Sequence, residues 1–175
     1  STCVELAKHN NIVAVKEASG NIQQIMEILR DKPSDFDLLS GDDSITQPMM
    51  ALGAKGVISV AANAYPEFFC KMVTAMLNDD VKTALTLHYK TLKMNNLIFA
   101  DGNPAGIKCL MSYRKLCENV LRLPLLNVTE SVKNDIENRF GGLKPEEVTI
   151  MLAYTFDREN AENYKKEVEE ALPGY

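Results

Sequence analysis

Residues 12–21 read IVAVKEASGN. The β-branched, apolar stretch over 11–16 has no polar alternation. That is the look of a strand in a parallel sheet covered on both faces. The ASGN that follows reads as a turn. Lys16 stands at the C-terminal end of this strand, and its spacing leaves two readings open. Its stem can run along apolar surface while the ammonium reaches water. Alternatively it points into the mouth of a (β/α) barrel, where removal from water favours the free amine. A free amine attacks a ketone to give a Schiff base, an electron sink for carbon–carbon bond chemistry. In (β/α) barrels such residues lie at the C-terminal ends of strands.

Working outward, IQQIMEILRDK (22–32) carries Ile22, Ile25, Met26 and Leu29 at helical spacing, and Pro33 ends it. FDLLSG (36–41) reads as a second strand. A helix is expected from Ser44 to Leu52, with Asp42 or Asp43 as its cap and Gly53 at its C-terminal end. GVISVAAN (56–63) reads as a third strand, and Pro66 opens the helix that follows. Strand–helix units thus recur every ~20–25 residues, the pattern of a parallel sheet or barrel. From Val81 the pattern changes to two helices, 81–99 and 104–117, with Asn103 and Pro104 as the cap pair of the second. LRLPLLNVTE (121–130) reads as extended, because Pro124 blocks helix. Three strand–helix units do not close an eight-stranded barrel. The expected class is therefore α/β, one part of a larger barrel followed by helices.

Charge divides the chain. Residues 1–128 carry 13 acidic and 13 basic side chains; residues 129–175 carry 11 and 6, so the net −5 lies entirely in the latter. FGGLKPEE (140–147) reads as a turn, VTIMLAYTF (148–156) as a strand, and DRENAENYKKEVEEAL (157–172) as an amphipathic helix capped by Asp157. Two regions are expected: a partial barrel with its helices over 1–128, and an appended helix and strand–helix segment over 129–175. STCVELAKHN at the start has no secretory pattern and no initiator Met, and reads as the middle of a helix in a chain cut at its N-terminus. The PGY ending reads as a turn into a further strand. No basic stripe suggests nucleic acid, and no apolar run approaches a membrane span. The four scattered cysteines (Cys3, Cys70, Cys109, Cys117) read as reduced core thiols of a cytosolic protein. His9 and His88 lack metal-ligand spacing and read as non-functional. The NVT at Asn127 carries little weight in a chain without export signals.

Besides Lys16, three features stand at strand ends. Asp42 and Asp43 suggest a turn and helix cap, since no further carboxylates stand at metal-ligand spacing. Gly41 leaves room for close approach to the backbone. Ile58 reads as core by residue type, yet its carbonyl lies near the expected barrel mouth.

As a set, VKEASGN (15–21), LLSGDD (38–43), LGAKGVISVAAN (52–63), NPAGIK (103–108) and LRLPL (121–125) resemble the C-terminal half of the 4-hydroxy-tetrahydrodipicolinate (dihydrodipicolinate) synthase family. That family belongs to the pyruvate-dependent class I aldolase-like superfamily, together with N-acetylneuraminate lyase. The likeness covers residues 1–128. The resemblance implies a (β/α)8 TIM barrel in which these strands are the sixth to eighth, followed by C-terminal helices, in a cytoplasmic enzyme assembled as a tetramer. It implies that Lys16 forms the Schiff base with pyruvate and that the Ile58 main chain contacts bound pyruvate. Gly41 would line the side that takes the aldehyde. The implied reaction condenses pyruvate with aspartate-semialdehyde on the way to lysine, with no cofactor and no metal. SGDD followed by GVISVAAN favours this synthase over a lyase of the N-acetylneuraminate type.

The family's pyruvate-carboxylate threonine pair, proton-relay tyrosines and GRTG arginine belong to the first five strands and have no counterpart in these residues. The expectation is a fragment inactive by itself; the competing readings are a chimeric chain or a non-catalytic interaction module. The tail faintly resembles a strand–helix unit of DegV-type fatty-acid-binding proteins.

Overall fold

The computed structural model describes residues 1–140. The chain forms two compact units, Ser1–Tyr89 and Lys90 onward. The sequence-predicted strand at 148–156 and helix at 157–172 lie outside the described residues.

The first unit begins with helix α1 (Thr2–Leu6), whose N-terminus is capped by the Ser1 hydroxyl. Strand β1 (Ala14–Glu17) and strand β2 (Asp37–Ser40) pair in parallel, with Lys16 opposite Leu39 and Glu17 opposite Ser40. Helix α2 (Ile22–Asp31) connects them. Its start is set by Asn21, whose Oδ1 accepts the Gln24 N–H at 3.1 Å, and Pro33 lies just beyond its end. Its buried stripe is Ile25 and Ile28, flanked by Ile22 and Leu29; Met26, expected on that stripe, is exposed. Ile25 and Ile28 meet Leu38 of β2, and Met49, Met50 and Ala54, to form the core of this unit. Val15, Ile45, Val73 and Met76 pack against its margin. Burying one such aliphatic side chain contributes about 2 kcal/mol, so this cluster decides which face of each strand turns inward.

After β2, a short 3-10 turn (Asp43–Ile45) leads into helix α3 (Thr46–Ala51). Of the two candidate caps, Asp42 caps the 3-10 turn, its Oδ1 accepting the Ser44 N–H at 2.8 Å; α3 itself starts two residues later than expected, at Thr46, and has no side-chain cap. Gly53 leaves the helix with φ of +119°, a region that favours glycine, and its N–H reaches the Met50 carbonyl at 3.0 Å. Helix α4 (Pro66–Leu77) opens on Pro66 as expected and buries Phe68, Phe69, Met72 and Ala75.

The third strand corrects the sequence reading. Only residues 55–58 run beside β2, with the Lys55 N–H on the Leu38 carbonyl, the Ser40 N–H on the Gly56 carbonyl and the Ile58 N–H on the Ser40 carbonyl, at 2.8–2.9 Å. Val57 makes a single parallel bridge to Ser40. The chain then turns into a 3-10 segment, Ala61–Asn63. The cause is Asp43: its Oδ2 accepts the N–H groups of Val60 and Ala61 at 3.0 and 2.9 Å, taking donors that a longer strand would have given to a ladder. Two strands and one bridge, among the described residues, stand where three strands were expected. The double-sided cover expected for β1 is not present among these residues either, since Lys16 is exposed and Ala14 and Val15 are half-buried.

Helix α5 (Val81–Phe99) begins in the first unit and ends in the second. The second unit continues with α6 (Ala105–Tyr113) and α7 (Glu130–Phe140). Pro104, not Asn103, occupies the position before α6, and no side chain caps that helix. Gly106 lies so close to α5 that an added Cβ would stand 2.0 Å from the Ile98 carbonyl oxygen. The start of α7 is tied back by Asp101, whose Oδ2 accepts both the backbone N–H and the hydroxyl of Thr129, at 2.7 and 2.8 Å. Tyr113 donates from its hydroxyl to Glu137 at 3.0 Å, joining α6 to α7. Burial, together with that carboxylate, pushes the Tyr113 hydroxyl up to about 12. Of the four free thiols, Cys109 is buried, and burial pushes its pKa up; Cys70 is exposed, against the expectation of a core thiol.

Gly106→Ala forces backbone against backbone, which no side-chain rotation relieves. The expected cost is about 3 kcal/mol, read as a lowered unfolding midpoint in urea with an unchanged m-value.

Candidate active site

Parallel pairing brings three strand ends side by side. Lys16 and Glu17 end β1, Ser40 ends β2 with Gly41 directly after it, and Ile58 ends the short third segment. The three sequence-predicted site residues, Lys16, Gly41 and Ile58, therefore meet on one edge of the first unit. Alternation along β1 separates neighbours. Val15 turns toward the core, Lys16 turns away from it and is exposed, and Glu17 is again buried at 7% exposure. The Ile58 side chain is 49% exposed, so it is not the core residue its type suggests.

Gly41 is held against β1. Its N–H donates to the Glu17 carbonyl at 2.7 Å, continuing the parallel ladder by one bond. The loop behind it is fixed by a small polar network. The Ser40 hydroxyl donates to the Asp42 carbonyl at 2.9 Å and accepts the Asp42 N–H at 3.2 Å. The Thr46 hydroxyl reaches the same carbonyl at 2.8 Å. Such side-chain bonds to nearby backbone replace the water that a strand-end loop would otherwise need.

Two residues that the sequence reading passed over support the site. Glu17 accepts the Ser19 N–H at 3.0 Å and a Gln24 amide hydrogen at 3.3 Å, fixing the turn between β1 and α2 directly after Lys16. The signal was available in the alternation, which puts residue 17 on the face of Val15. His88, read as isolated, is buried on α5 and hydrogen-bonds the Ser44 backbone of the loop after β2. Its signal was helical spacing, since Ala84, Leu87 and Thr91 are buried on the same helix. Asp43 is buried as well. Burial raises its pKa, against the lowering effect of the Ser59 hydroxyl and the N–H groups of Ala61 and Val60. Among the described residues no three His, Cys, Asp or Glu side chains are grouped so as to hold a metal ion.

His88 gives the loop a pH dependence with a definite sign. Burial lowers its pKa, more than the Ser44 hydrogen bond and the Asp42 charge raise it. The unfolded chain then takes up the proton first, so stability present above about pH 6.5 is lost as pH falls below it, toward the lower folded value. The wild type is expected to lose more unfolding free energy than His88→Gln between pH 7.5 and 5.5, measured by urea titration. Equal losses would remove His88 as the cause.

The match to the dihydrodipicolinate synthetase family covers residues 1–140; this corrects the expected end of the likeness at residue 128, since α7, read as the start of an appended segment, falls within the match. The 4-hydroxy-tetrahydrodipicolinate synthase of Phocaeicola vulgatus is 50% identical over 126 residues, 71% of this chain and 42% of that protein. That of Geobacter sulfurreducens is 46% identical over 132 residues, 75% of this chain and 46% of its own length. Among solved structures, dihydrodipicolinate synthase from Aquifex aeolicus superposes with a TM-score of 0.76 at 39% identity, over 78% of this chain and 47% of that one. The chloride-inhibited enzyme from Acinetobacter baumannii, solved with pyruvate, gives 0.76 at 28% identity, over 85% and 49%. The chain thus spans somewhat less than half the length of these curated relatives. With 140 of its 175 residues matched, the chain belongs to the dihydrodipicolinate synthetase family.

Proposed function

We propose that this chain contributes the Schiff-base half of a 4-hydroxy-tetrahydrodipicolinate synthase site. The observation that carries the reading is Lys16, an exposed amine at the C-terminal end of a parallel strand, with Gly41 and Ile58 at the ends of the next two segments. That is where (β/α) barrels keep their reacting groups. In this reading the Lys16 amine attacks the ketone carbon of pyruvate and, with loss of water, forms an imine. Loss of a methyl proton gives the enamine. The enamine carbon attacks the aldehyde of aspartate-semialdehyde, ring closure follows, and Lys16 is released as the amine. The Ile58 main chain contacts the bound pyruvate, and Gly41 lines the side from which the aldehyde enters.

The family's carboxylate-binding and proton-relaying groups stand on strands outside these residues. A complete site is therefore formed with the remaining barrel strands, in a cytoplasmic homotetramer of the family type. The pyruvate-bound Acinetobacter baumannii relative supports pyruvate as the tethered substrate, which an N-acetylneuraminate-type lyase shares; the synthases at 46–50% identity support aspartate-semialdehyde as the aldehyde. The strand–helix reading of the tail stays a separate proposal: a segment of another α/β unit.

Borohydride trapping with pyruvate tests the assignment. Mixed with the N-terminal barrel strands of the Phocaeicola vulgatus relative, the chain is expected to take up one pyruvyl adduct, located at Lys16 by peptide mass spectrometry. Alone it should take up little. Lys16→Ala abolishes the adduct; an adduct formed at a normal rate in that variant would defeat the Schiff-base assignment.

A further inference from the structure

We propose that Gly41 is a positioning residue for Lys16, and that its missing side chain is what lets the lysine stem cross the end of β2. A Cβ built at Gly41 would stand 2.8 Å from Lys16 Cε, 3.0 Å from Lys16 Cγ and 2.8 Å from Ala18 Cβ. The first and third distances are shorter than real Cβ contacts allow. Gly41 has no room to retreat, since its own N–H is bonded to the Glu17 carbonyl at 2.7 Å and the Ser40–Asp42–Thr46 network holds the loop behind it. The glycine is therefore required by space: the lysine stem lies over its α-carbon.

The consequence differs from that of an ordinary tight glycine. Two of the three atoms in the way belong to a flexible side chain. An added methyl group pushes the Lys16 stem aside by rotation of that side chain, whereas the Ala18 Cβ, fixed to its own backbone, yields only with the exposed turn that carries it. The amine is redirected, with a local shift of that turn. This role rests on the Schiff-base reading for its catalytic meaning, but the steric relation between Gly41 and Lys16 stands without it. A misplaced reacting group costs rate steeply, of the order of a hundredfold for a displacement of about 1 Å.

The experiment uses the full 175-residue chain with its lysines reductively methylated with 13C-formaldehyde, and Lys16→Arg identifies the Lys16 resonance. In Gly41→Ala the Lys16 resonance is expected to shift, with the Lys55 resonance and the circular dichroism unchanged. If that variant fails to fold, Gly41→Ala combined with Ala18→Gly removes the one contact that is not to the lysine, and the same shift is expected in the folded double variant. An unmoved Lys16 resonance in either folded variant overturns the proposal. Pyruvate trapping with the complementing strands, run in parallel, is expected to slow at least about tenfold in Gly41→Ala. Trapping at the wild-type rate despite a shifted resonance would also overturn the positioning role. No trapping even in the wild type, with the resonance shifted as expected, would defeat the Schiff-base reading and leave the steric relation intact.

Discussion

The parallel register of β1 on β2 is the constraint on which the first unit depends. It places Lys16 opposite Leu39 and Glu17 opposite Ser40. Because side chains alternate, a slip of one residue would exchange the two faces. Lys16 would enter the core beside Leu38, and Val15 would leave it. The aliphatic cluster of Ile25, Ile28, Leu38 and Met49 therefore selects the register, and the register in turn selects which charged residue of the Lys16–Glu17 pair is outside. The apolar core and the exposed amine are two outcomes of one choice.

Side-chain chemistry then finishes what the ladder begins. Parallel strands this short end in loops whose backbone groups need partners. Here Asp42 caps the turn after β2, Asp43 bonds the turn after the third segment, and Glu17 bonds the turn after β1. Each of the three strand ends that gather Lys16, Gly41 and Ile58 is thus followed by a turn to which a carboxylate is bonded. Two of these carboxylates, Glu17 and Asp43, are buried, and their hydrogen bonds come from backbone N–H groups, a side-chain amide and the Ser59 hydroxyl.

Much of this was legible in the residues. Apolar, β-branched runs located β1 and β2, and helical patterns located α2 to α5, with Pro33, Gly53 and Pro66 marking the end of α2, the end of α3 and the start of α4. The motif set around Lys16 pointed to the family that the matched residues then established. The third strand was over-read because the β-branched run of Val57, Ile58 and Val60 continues into apolar Ala61 and Ala62, whereas its end is decided by Asp43, 17 residues away from Val60. Met26 was misassigned because helical spacing gives a stripe without saying how wide the covered part is. Asn103 looked like a cap by residue type, but the chain enters α6 one residue later. Glu17 and His88 were missed because a charged or titratable residue reads as surface until its element's buried face is known.

The clasp between Asp101 and Thr129 has a different kind of consequence. A single carboxylate oxygen holds both ends of the stretch that leaves α5, forms α6, and returns through residues 114–128 to α7. With those ends fixed, the entropy of the intervening chain depends only weakly on its length, about 0.6 kcal/mol for a doubling. Residues 114–128 form neither helix nor strand, and several of their leucines, such as Leu123 and Leu126, face solvent. Chain length in this part of the unit is therefore only weakly coupled to its stability, while the entry of α7 stays anchored.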